Sequence, residues 1–329
     1  MKTLDIYGTL GPSLCTEDKL AEMFEIGMSG VRLNLSHVDL KDCEEWLTAL
    51  QEASHKTGVK AKLLIDMKGP ELRIGKLSQP LVLEEGKTVN LGDTIAVPNQ
   101  LFTHVKTGQQ LLLDDGRILL EVQDVLENRI SCRVLHGGLL KSGKSIALVD
   151  ASIQMPTLTE SDIRNLKAAK QYGVTGIMQP FVRNAQDLIT VKETLREVGA
   201  EDLKVFAKIE NMDGVNHLSE LLPHCDHIVI ARGDLGNAMP LWELPYVQKK
   251  IQDVCIAHQM PYMVVTQMLD SMMEHPIPTR AEVSDIFYAV YHGASSIMLT
   301  GETAAGKYPV EAMKYFVNTA KSALACREE

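Results

Sequence analysis

Two apolar runs of the chain end in charged side chains. Lys208 and Glu210 close the run VFAKIE, and Asp234 follows the apolar run IVIA within the segment ARGDLG. Taking an ionised group out of water costs several kcal/mol unless a group of opposite charge binds beside it. These three residues are therefore expected to meet a charged ligand.

The types and spacing of these residues indicate a metal-assisted reaction. Lys208 and Glu210 are two apart in a predicted strand, so both side chains point to the same face. Glu210 and Asp234 supply the hard oxygen ligands that Mg²⁺ or Mn²⁺ prefers. A lysine beside such a metal can stabilise charge on a transferring phosphoryl group or an enolate. A structural Lys-to-Asp or Lys-to-Glu salt bridge in a layer inside the fold is the alternative interpretation.

A second cluster of polar groups alternates with leucines in the run RLNLS. Alternation in a strand places Arg32, Asn34 and Ser36 on one face, and Asp66 ends the next predicted strand. The oxygens could hold a monovalent cation while the arginine binds phosphate oxygens. A hydrogen-bonded polar layer without a ligand is the other interpretation.

The segment ARGDLG predicts a turn from a strand into a helix. Its open backbone N–H groups suit a carboxylate or a phosphate. A plain left-handed glycine turn explains the same residues equally well.

Strands and helices alternate along most of the chain and must bring these groups together. Strands are predicted at Thr3–Leu10, Gly30–Leu35, Lys60–Asp66, Gly176–Phe181, Lys204–Glu210, His227–Ala231, Tyr262–Gln267 and Ser295–Thr300. Helices are predicted at Glu17–Glu25, Lys41–His55, 159–171, 184–197, 213–222, 244–258, 279–291 and 308–325, with Thr16 and Asp39 as N-caps. Eight sequential units favour an α/β fold, a (β/α)8 TIM barrel, over a doubly wound sheet.

Polar groups end six of the eight predicted strands. In a TIM barrel the carboxyl ends of all strands meet at one mouth, so these groups are expected to converge there. They are Arg32, Asn34, Ser36, Asp66, Lys68, Lys208, Glu210, Arg232, Asp234, Thr266, Thr300 and Glu302.

The helical pattern stops at Gly69-Pro70 and resumes after Pro156. Short strands are predicted between them at Leu81–Leu83, Thr94–Val97, Gln110–Leu113, Ile118–Val122 and Arg129–Val134. The predicted organisation is a catalytic barrel of residues 1–69 and 156–329, with a small all-β domain of residues 70–155, resembling a β-barrel, inserted as a lid after the third strand.

Composition argues against several other classes of protein. The net charge of −10 and the interspersed lysines and arginines give no signal for nucleic acid. No apolar run approaches the roughly 20 residues of a membrane helix, so no membrane association is expected. The six cysteines lie far apart and form no C-x-x-C pair, which predicts reduced thiols and a cytoplasmic location.

Taken together, these motifs resemble the pyruvate kinase family. They follow the family order as VRLNLSH (31–37), DMKGPELR (66–73), DDG (114–116), KIEN (208–211), ARGDLG (231–236), TQMLDSM (266–272), PTRAEVSD (278–285) and GETAAGKYPVEA (301–312). The resemblance implies transfer of phosphate from phosphoenolpyruvate to ADP, which gives pyruvate and ATP.

The resemblance also implies roles in catalysis and substrate binding. Glu210 and Asp234 would hold Mg²⁺ or Mn²⁺, and Lys208 would neutralise the phosphoryl group. Thr266 would help to deliver the proton to the enolate carbon. The other groups expected at the substrate are Arg32, Arg73, Gly233, Thr300 and Glu302.

Further residues are implied for potassium and nucleotide. K⁺ would be held by Asn34, Ser36, Asp66 and the backbone carbonyl of Met67, and Glu71 is typical of potassium-dependent members. The nucleotide would contact Asn34, His37, Arg73 and, from the lid, Asp115.

The chain departs from the family pattern in a few places. Met67 replaces a threonine, Ser161 stands where a lysine that contacts nucleotide is common, and Gln179-Pro180 replace smaller residues. Nucleotide binding is therefore expected to be weaker or different.

The sequence ends at Glu329, where family members continue into a C-terminal domain. No C-terminal allosteric domain is expected, and a homodimer through the barrel remains open. Two alternative functions are a catalytically weak phosphoenolpyruvate-binding paralogue that acts as a sensor or scaffold, and a metal-dependent pyruvate-enolate aldolase or lyase.

Overall fold

The first part of the chain alternates short apolar strands with amphipathic helices. The computed structural model describes residues 4–36, 38–114, 116–149 and 155–328. The first elements are β1 Asp5–Thr9, α1 Glu17–Ile26, β2 Gly30–Asn34, α2 Glu44–Thr57 and β3 Lys62–Asp66. Thr16 and Asp39 precede helical segments as predicted, but Asp39 leads into a 3₁₀ turn, Leu40–Cys43, that continues into α2.

The segment after β3 forms antiparallel sheets. Its elements are β4 Leu81–Leu83, β5 Thr88–Leu91, α3 Gln100–His104, β6 Gln110–Leu113, β7 Ile118–Leu126, β8 Arg129–His136, β9 Gly138–Leu140 and β10 Ile146–Leu148. Five strands pair in the order β10-β6-β7-β8-β5, and β4 pairs with β9. Nineteen buried apolar residues of this segment, from Leu72 to Leu148, form their own core.

The prediction of a strand at Thr94–Val97 is wrong. The chain turns at Gly92, whose φ is 102°, and only Ile95 makes an isolated bridge, to Leu91. Ile95 is nevertheless fully buried, because the turn folds it back onto the core of this segment. Burial, and not strand pairing, therefore explains its apolar side chain.

The alternation of strands and helices resumes after the inserted sheets. The elements are α4 Glu160–Ala168, β11 Gly176–Gln179, α5 Ala185–Glu197, β12 Lys204–Ile209, α6 Met212–Asn216, α7 Leu218–Leu221, β13 His227–Ala231, α8 Arg232–Asn237, α9 Leu244–Ala257, β14 Tyr262–Val265, α10 Arg280–Tyr291, β15 Ser296–Met298, α11 Gly301–Ala304 and α12 Pro309–Glu328. Short 3₁₀ turns occur at Leu222–His224, Leu241–Glu243 and Asp270–Met273. The helix predicted at 213–222 is divided at His217 into α6 and α7.

Eight of these strands close into one parallel barrel. Their order is β1-β15-β14-β13-β12-β11-β3-β2, so each strand lies beside its neighbours in the sequence of βα units. The predicted α/β class and TIM barrel are confirmed. In the described part of the chain, no helix is long and apolar enough to cross a bilayer.

The strands place alternate side chains inside and outside the barrel. Tyr7, Leu64, Phe206 and Val229 belong to a small cluster that fills the interior. The intervening residues, such as Val205, pack under the surrounding helices in the large outer core. Because a strand alternates its faces, residues two apart share the interior, and this arrangement determines which side chains reach the mouth.

One buried carboxylate connects the two segments that join the barrel to the inserted sheets. Asp162 is inaccessible to solvent and accepts hydrogen bonds from the backbone N–H groups of Lys68 (2.8 Å), Gly69 (3.2 Å) and Thr159 (2.7 Å). Gly69 has a φ of 60°, and a Cβ there would overlap the ring of Pro180. The outgoing and returning segments are thus held to the same side chain.

We expect Asp162→Ala to destabilise the protein by at least about 2 kcal/mol, because buried N–H donors lose their acceptor. Urea denaturation followed by circular dichroism measures this loss, and hydrogen exchange should show faster exchange at Lys68 and Gly69. Asp202→Ala is the control, since that exposed carboxylate pairs only at the surface with Lys170. Equal stability of the two variants would contradict the role of Asp162.

Candidate active site

The alternation of β12 brings two charged residues to the mouth of the barrel. Phe206 points into the interior, so Lys208 and Glu210 follow on the same face toward the carboxyl end of the strand. Asp66 occupies the corresponding end of β3, two residues after the interior Leu64. Arg32 lies on β2, whose pairing with β3 places Arg32 beside Leu64 and Asn34 beside Asp66.

These side chains form a continuous chain of ion pairs. Nη2 of Arg32 lies 2.6 Å from Oδ2 of Asp66, and Nζ of Lys208 lies 3.2 Å from each carboxylate oxygen of Asp66. The same Nζ lies 2.8 Å from Oε1 of Glu210. Lys208 is therefore shared between two buried carboxylates that come from different strands.

The charge of each member stabilises the charge of its neighbours. Burial by itself would raise the pKa of Asp66, but Lys208 and Arg32 hold it below its ordinary value. Burial would lower the pKa of Lys208, but Asp66 and Glu210 raise it above its ordinary value. Both groups are therefore ionised at neutral pH, and the ammonium group is fixed at the mouth of the barrel.

A cavity of about 430 Å³ opens beside this chain of ion pairs, between the barrel and the inserted sheets. The inserted segment contributes residues 146–148 to its lining, and the barrel contributes Phe181 and Asn211 among others. Four carboxylates also line it: Glu71, Glu210, Asp213 and Asp234. Such a concentration of acidic groups favours the binding of cations.

Glu210 and Asp234, the predicted ligands of a divalent metal, both face this cavity. They follow β12 and β13, which are adjacent strands of the barrel. Oε2 of Glu210 accepts a hydrogen bond from the N–H of Phe181, 2.8 Å away, which orients the carboxylate. No group of three or more His, Cys, Asp or Glu residues in the described ranges has the arrangement of a metal site. The pair fits a cation whose remaining ligands are substrate and water oxygens.

The predicted potassium ligands lie at the ends of β2 and β3. Oδ1 of Asn34 accepts a hydrogen bond from the N–H of Ser36, 3.1 Å away, and Met67 is buried with its own N–H donated to the carbonyl of Met178. Both oxygens of Asp66 already accept donors from Lys208. The donor set is made of oxygens, as K⁺ requires, and Asp66 contributes its charge to the same group of residues.

Glu71 and Arg73 form a pair where the chain enters the inserted sheets. Nη2 of Arg73 lies 2.6 Å from Oε2 of Glu71, and its Nη1 donates to the carbonyl of Gly143, 2.7 Å away. Burial raises the pKa of Glu71 above its ordinary value, although Arg73 opposes this effect. Arg73 is thus anchored to both a cavity-lining carboxylate and the inserted segment.

The segment ARGDLG passes from strand to helix without a separate turn, because β13 ends at Ala231 and the short helix α8 begins at Arg232. Gly233 and Asp234 lie in its first turn, directly after β13. A Cβ on Gly233 would lie 3.1 Å from Cγ2 of Thr266, so the absence of a side chain lets Thr266 approach the backbone of α8. Thr266 itself has a φ of 75°, a strained value for a β-branched residue.

Thr300 and Glu302 lie together at the end of β15. The N–H of Thr300 donates to Oε2 of Glu302 at 2.8 Å, and the N–H of Leu269 donates to Oε1 at 3.0 Å. Glu302 therefore connects the end of the eighth strand to the loop that follows the seventh. The sequence indicated only that Glu302 belonged to the mouth.

Three residues that depart from the family pattern, Ser161, Gln179 and Pro180, lie near the segments that join the barrel to the inserted sheets. Oγ of Ser161 donates to Asp39 at 2.6 Å, and Nε2 of Gln179 donates to the carbonyl of Thr157 at 3.0 Å. Pro180 packs against Gly69. Two further predicted nucleotide contacts, His37 and Asp115, lie outside the described residues.

Sequence reasoning did not predict several residues that line the cavity. Residues 146–148 come from a three-residue strand that is too short to show alternation. Asn211 was visible in the motif KIEN, but its role as the cap of α6, accepting from the N–H of Gly214 at 2.8 Å, requires the helix start to be known. Phe181 can be assigned to the site only from the structure, because its backbone N–H donates to Glu210.

Comparison with known proteins identifies the family of the chain. The family model described as pyruvate kinase, barrel domain, matches residues 1–313. A pyruvate kinase of Bacillus licheniformis is 37% identical over an alignment of 332 positions, gaps included, that covers 97% of this chain and 57% of that protein. Pyruvate kinases of Borreliella burgdorferi and Aeropyrum pernix are 35% and 36% identical, each over 97% of this chain, and the matches cover 68% and 70% of those proteins. The chain spans little more than half the length of the Bacillus relative. Because the family model matches nearly the whole chain, this chain belongs to the pyruvate kinase family.

Proposed function

We propose that this protein transfers the phosphoryl group of phosphoenolpyruvate to ADP, forming pyruvate and ATP. The observation that carries the proposal is the shared ammonium of Lys208, held between Asp66 and Glu210 beside a cavity lined by carboxylates. Phosphoryl transfer depends mainly on positioning and on cations that oppose developing negative charge. The fixed ammonium group meets both requirements.

The proposed roles follow from this geometry. Glu210 and Asp234 would hold Mg²⁺ or Mn²⁺, which supplies positive charge to the phosphoryl oxygens when bound. Lys208 neutralises charge on the group in transfer, and Arg32 binds phosphate oxygens. Gly233, in the first turn of α8, offers its backbone N–H to the substrate carboxylate.

Thr266 and Thr300 would act at the other end of the substrate. When the phosphoryl group has left, the enolate of pyruvate takes a proton at its methylene carbon. We assign the delivery of this proton to a path that includes the hydroxyl of Thr266, and Thr300 lines the same end. The close approach of Thr266 to Gly233 supports this assignment.

The nucleotide and potassium sites complete the proposal. Asn34, His37, Arg73 and Asp115 would contact ADP, and Asn34, Ser36, Asp66 and the carbonyl of Met67 would hold K⁺. The pair formed by Glu71 and Arg73 supports a link between the nucleotide and the cation-binding groups. We further propose that residues 70–155 form a lid domain, because closing it over the cavity would exclude water from the transfer.

Assembly and location are part of the same proposal. Exposed aromatic side chains, Trp242, Tyr246, Tyr288 and Tyr291, lie on the α9 and α10 side of the barrel and favour a homodimer through this face. All six cysteines are free thiols, which supports a cytoplasmic enzyme.

We expect Lys208→Met to lower the rate of ATP formation about 100- to 1,000-fold, because one fixed positive charge is lost from the transition state. Coupled detection of pyruvate formed from phosphoenolpyruvate and ADP, with Mg²⁺ and K⁺ present, measures the rate. Lys204→Met is a matched control on the same strand, since Lys204 is exposed and pairs with Asp226 at the opposite end. A wild-type protein that binds phosphoenolpyruvate without turnover would favour the sensor or scaffold function.

Activity is also expected to depend on K⁺. We expect Ser36→Ala to raise the half-saturating concentration of K⁺ about 3- to 10-fold, because the loss of one neutral oxygen ligand costs roughly 1 kcal/mol of binding free energy. The titration replaces K⁺ with tetramethylammonium at constant ionic strength. Ser131→Ala, on β8, is the control and should leave the curve unchanged. Full activity in tetramethylammonium alone would refute the potassium site.

A further inference from the structure

The loop after β14 contains two consecutive residues in the left-handed region. Thr266 has a φ of 75° and Gln267 a φ of 53°. In the ranges that the structure describes, Thr266 is the one β-branched residue with a positive φ, and no other two non-glycine neighbours share this conformation. Such a conformation persists only where surrounding contacts hold it in place.

Arg232, the first residue of α8, provides these contacts from the end of the neighbouring strand β13. Its Nη2 donates to the carbonyl of Thr266 at 2.6 Å, and its Nε lies 3.2 Å from the same oxygen and 3.3 Å from the carbonyl of Val265. Nη2 also lies 3.4 Å from the carbonyl of Gln267. One guanidinium group therefore contacts three consecutive carbonyl groups of the strained turn.

The guanidinium group is itself fixed in position. Nη1 of Arg232 lies 2.6 Å from Oδ2 of Asp285 on α10, and the side chain of Arg232 is only 11% exposed. The planar guanidinium group donates from Nε and Nη2 to the turn and from Nη1 to Asp285. A lysine carries one ammonium group and cannot reproduce this geometry.

A second carboxylate holds the other side of the same loop. Oε1 of Glu302 accepts from the N–H of Leu269, as described above. The loop is thus held by Arg232, which follows the sixth strand of the barrel, and by Glu302, which follows the eighth. Gly233, the residue after Arg232, is the one that Thr266 approaches closely.

We propose that Arg232 is a positioning residue, which holds Thr266 in its strained conformation against Gly233 at the mouth of the barrel. The proposal rests on the proposed function, because Thr266 is assigned there to proton delivery. Arg232 does not touch the substrate in this assignment and acts only through the turn. A different role, in which the pair with Asp285 merely connects α8 to α10, predicts loss of stability without a specific loss of proton transfer.

The reverse of the proton-delivery step provides a direct measurement. In D₂O, a C–H bond of the pyruvate methyl group breaks, the proton passes to solvent through the enzyme, and a C–D bond forms at the same carbon. Nuclear magnetic resonance of pyruvate with the full chain, Mg²⁺ and K⁺ measures this exchange. We expect Arg232→Met to slow it about 100-fold, as a misplacement of about 1 Å does, while the KM for phosphoenolpyruvate stays close to that of the wild type.

A double variant distinguishes positioning from a general structural role. If Arg232 acts through Thr266, Arg232→Met should cause no further slowing in a Thr266→Val background. Additive losses, or undiminished exchange in Arg232→Met, would overturn the proposal. Arg327→Met is the matched control, because Arg327 donates to the carbonyl of Val290 on α10 and lies outside the proposed site.

Hydrogen exchange of the amides at 266–269 supplies a readout that does not depend on turnover. Arg232→Met should speed exchange there, and Arg327→Met should not. If Arg232→Met fails to fold, Arg232→Lys and Asp285→Asn serve as milder variants with the same expected direction. Unchanged amide exchange in the folded variants would refute the proposal that Arg232 holds the turn. This result would count even if the protein has no turnover. A wild-type protein that neither forms ATP from phosphoenolpyruvate nor exchanges the methyl protons of pyruvate would refute the proposed function. Faster amide exchange in Arg232→Met would then still support the role of Arg232 in the turn.

Discussion

The ammonium group of Lys208, shared by two buried carboxylates, is the interaction on which the arrangement of the barrel mouth depends. Asp66 and Glu210 come from strands that are not adjacent, and each would repel the other if no cation lay between them. Because Arg32 also binds Asp66, two cations compensate two largely buried anions at the mouth of the barrel. Removing one of these four side chains leaves a buried charge without its partner. The free energy that this costs is larger than the free energy that an intact buried pair contributes to stability.

The same ion pairs place the site at the edge of the barrel and not in its centre. The interior below is filled by apolar side chains such as Phe206 and Met178, so the charged layer is the first one that a ligand can reach. Above it, the inserted sheets bring residues 146–148 to the cavity, and Asp162 holds both connecting segments. The site therefore lies between a packed apolar base and the inserted sheets, with the charged side chains at the rim.

The strained backbone at the mouth is held by contacts from the short helices that follow the two neighbouring strands. Thr266 follows β14 in a conformation that threonine rarely adopts, and the donors of Arg232 and the acceptor of Glu302 hold the loop from either side. Residues at the ends of adjacent parallel strands are therefore not independent. The loop after β14 is supported by residues that follow both neighbouring strands, β13 and β15.

The sequence by itself determined the order of strands and helices, because the apolar periodicity of each segment is a local property. It also determined that Lys208 and Glu210 share a face, since two residues apart in a strand always do. It allowed a Lys-to-Asp or Lys-to-Glu salt bridge as an alternative, but it did not identify Asp66, 142 residues away, as a partner of Lys208, because that contact depends on how the barrel closes. The failed strand at Thr94–Val97 and the positive φ of Thr266 have the same cause: both are decided by packing against distant residues, which no local pattern records.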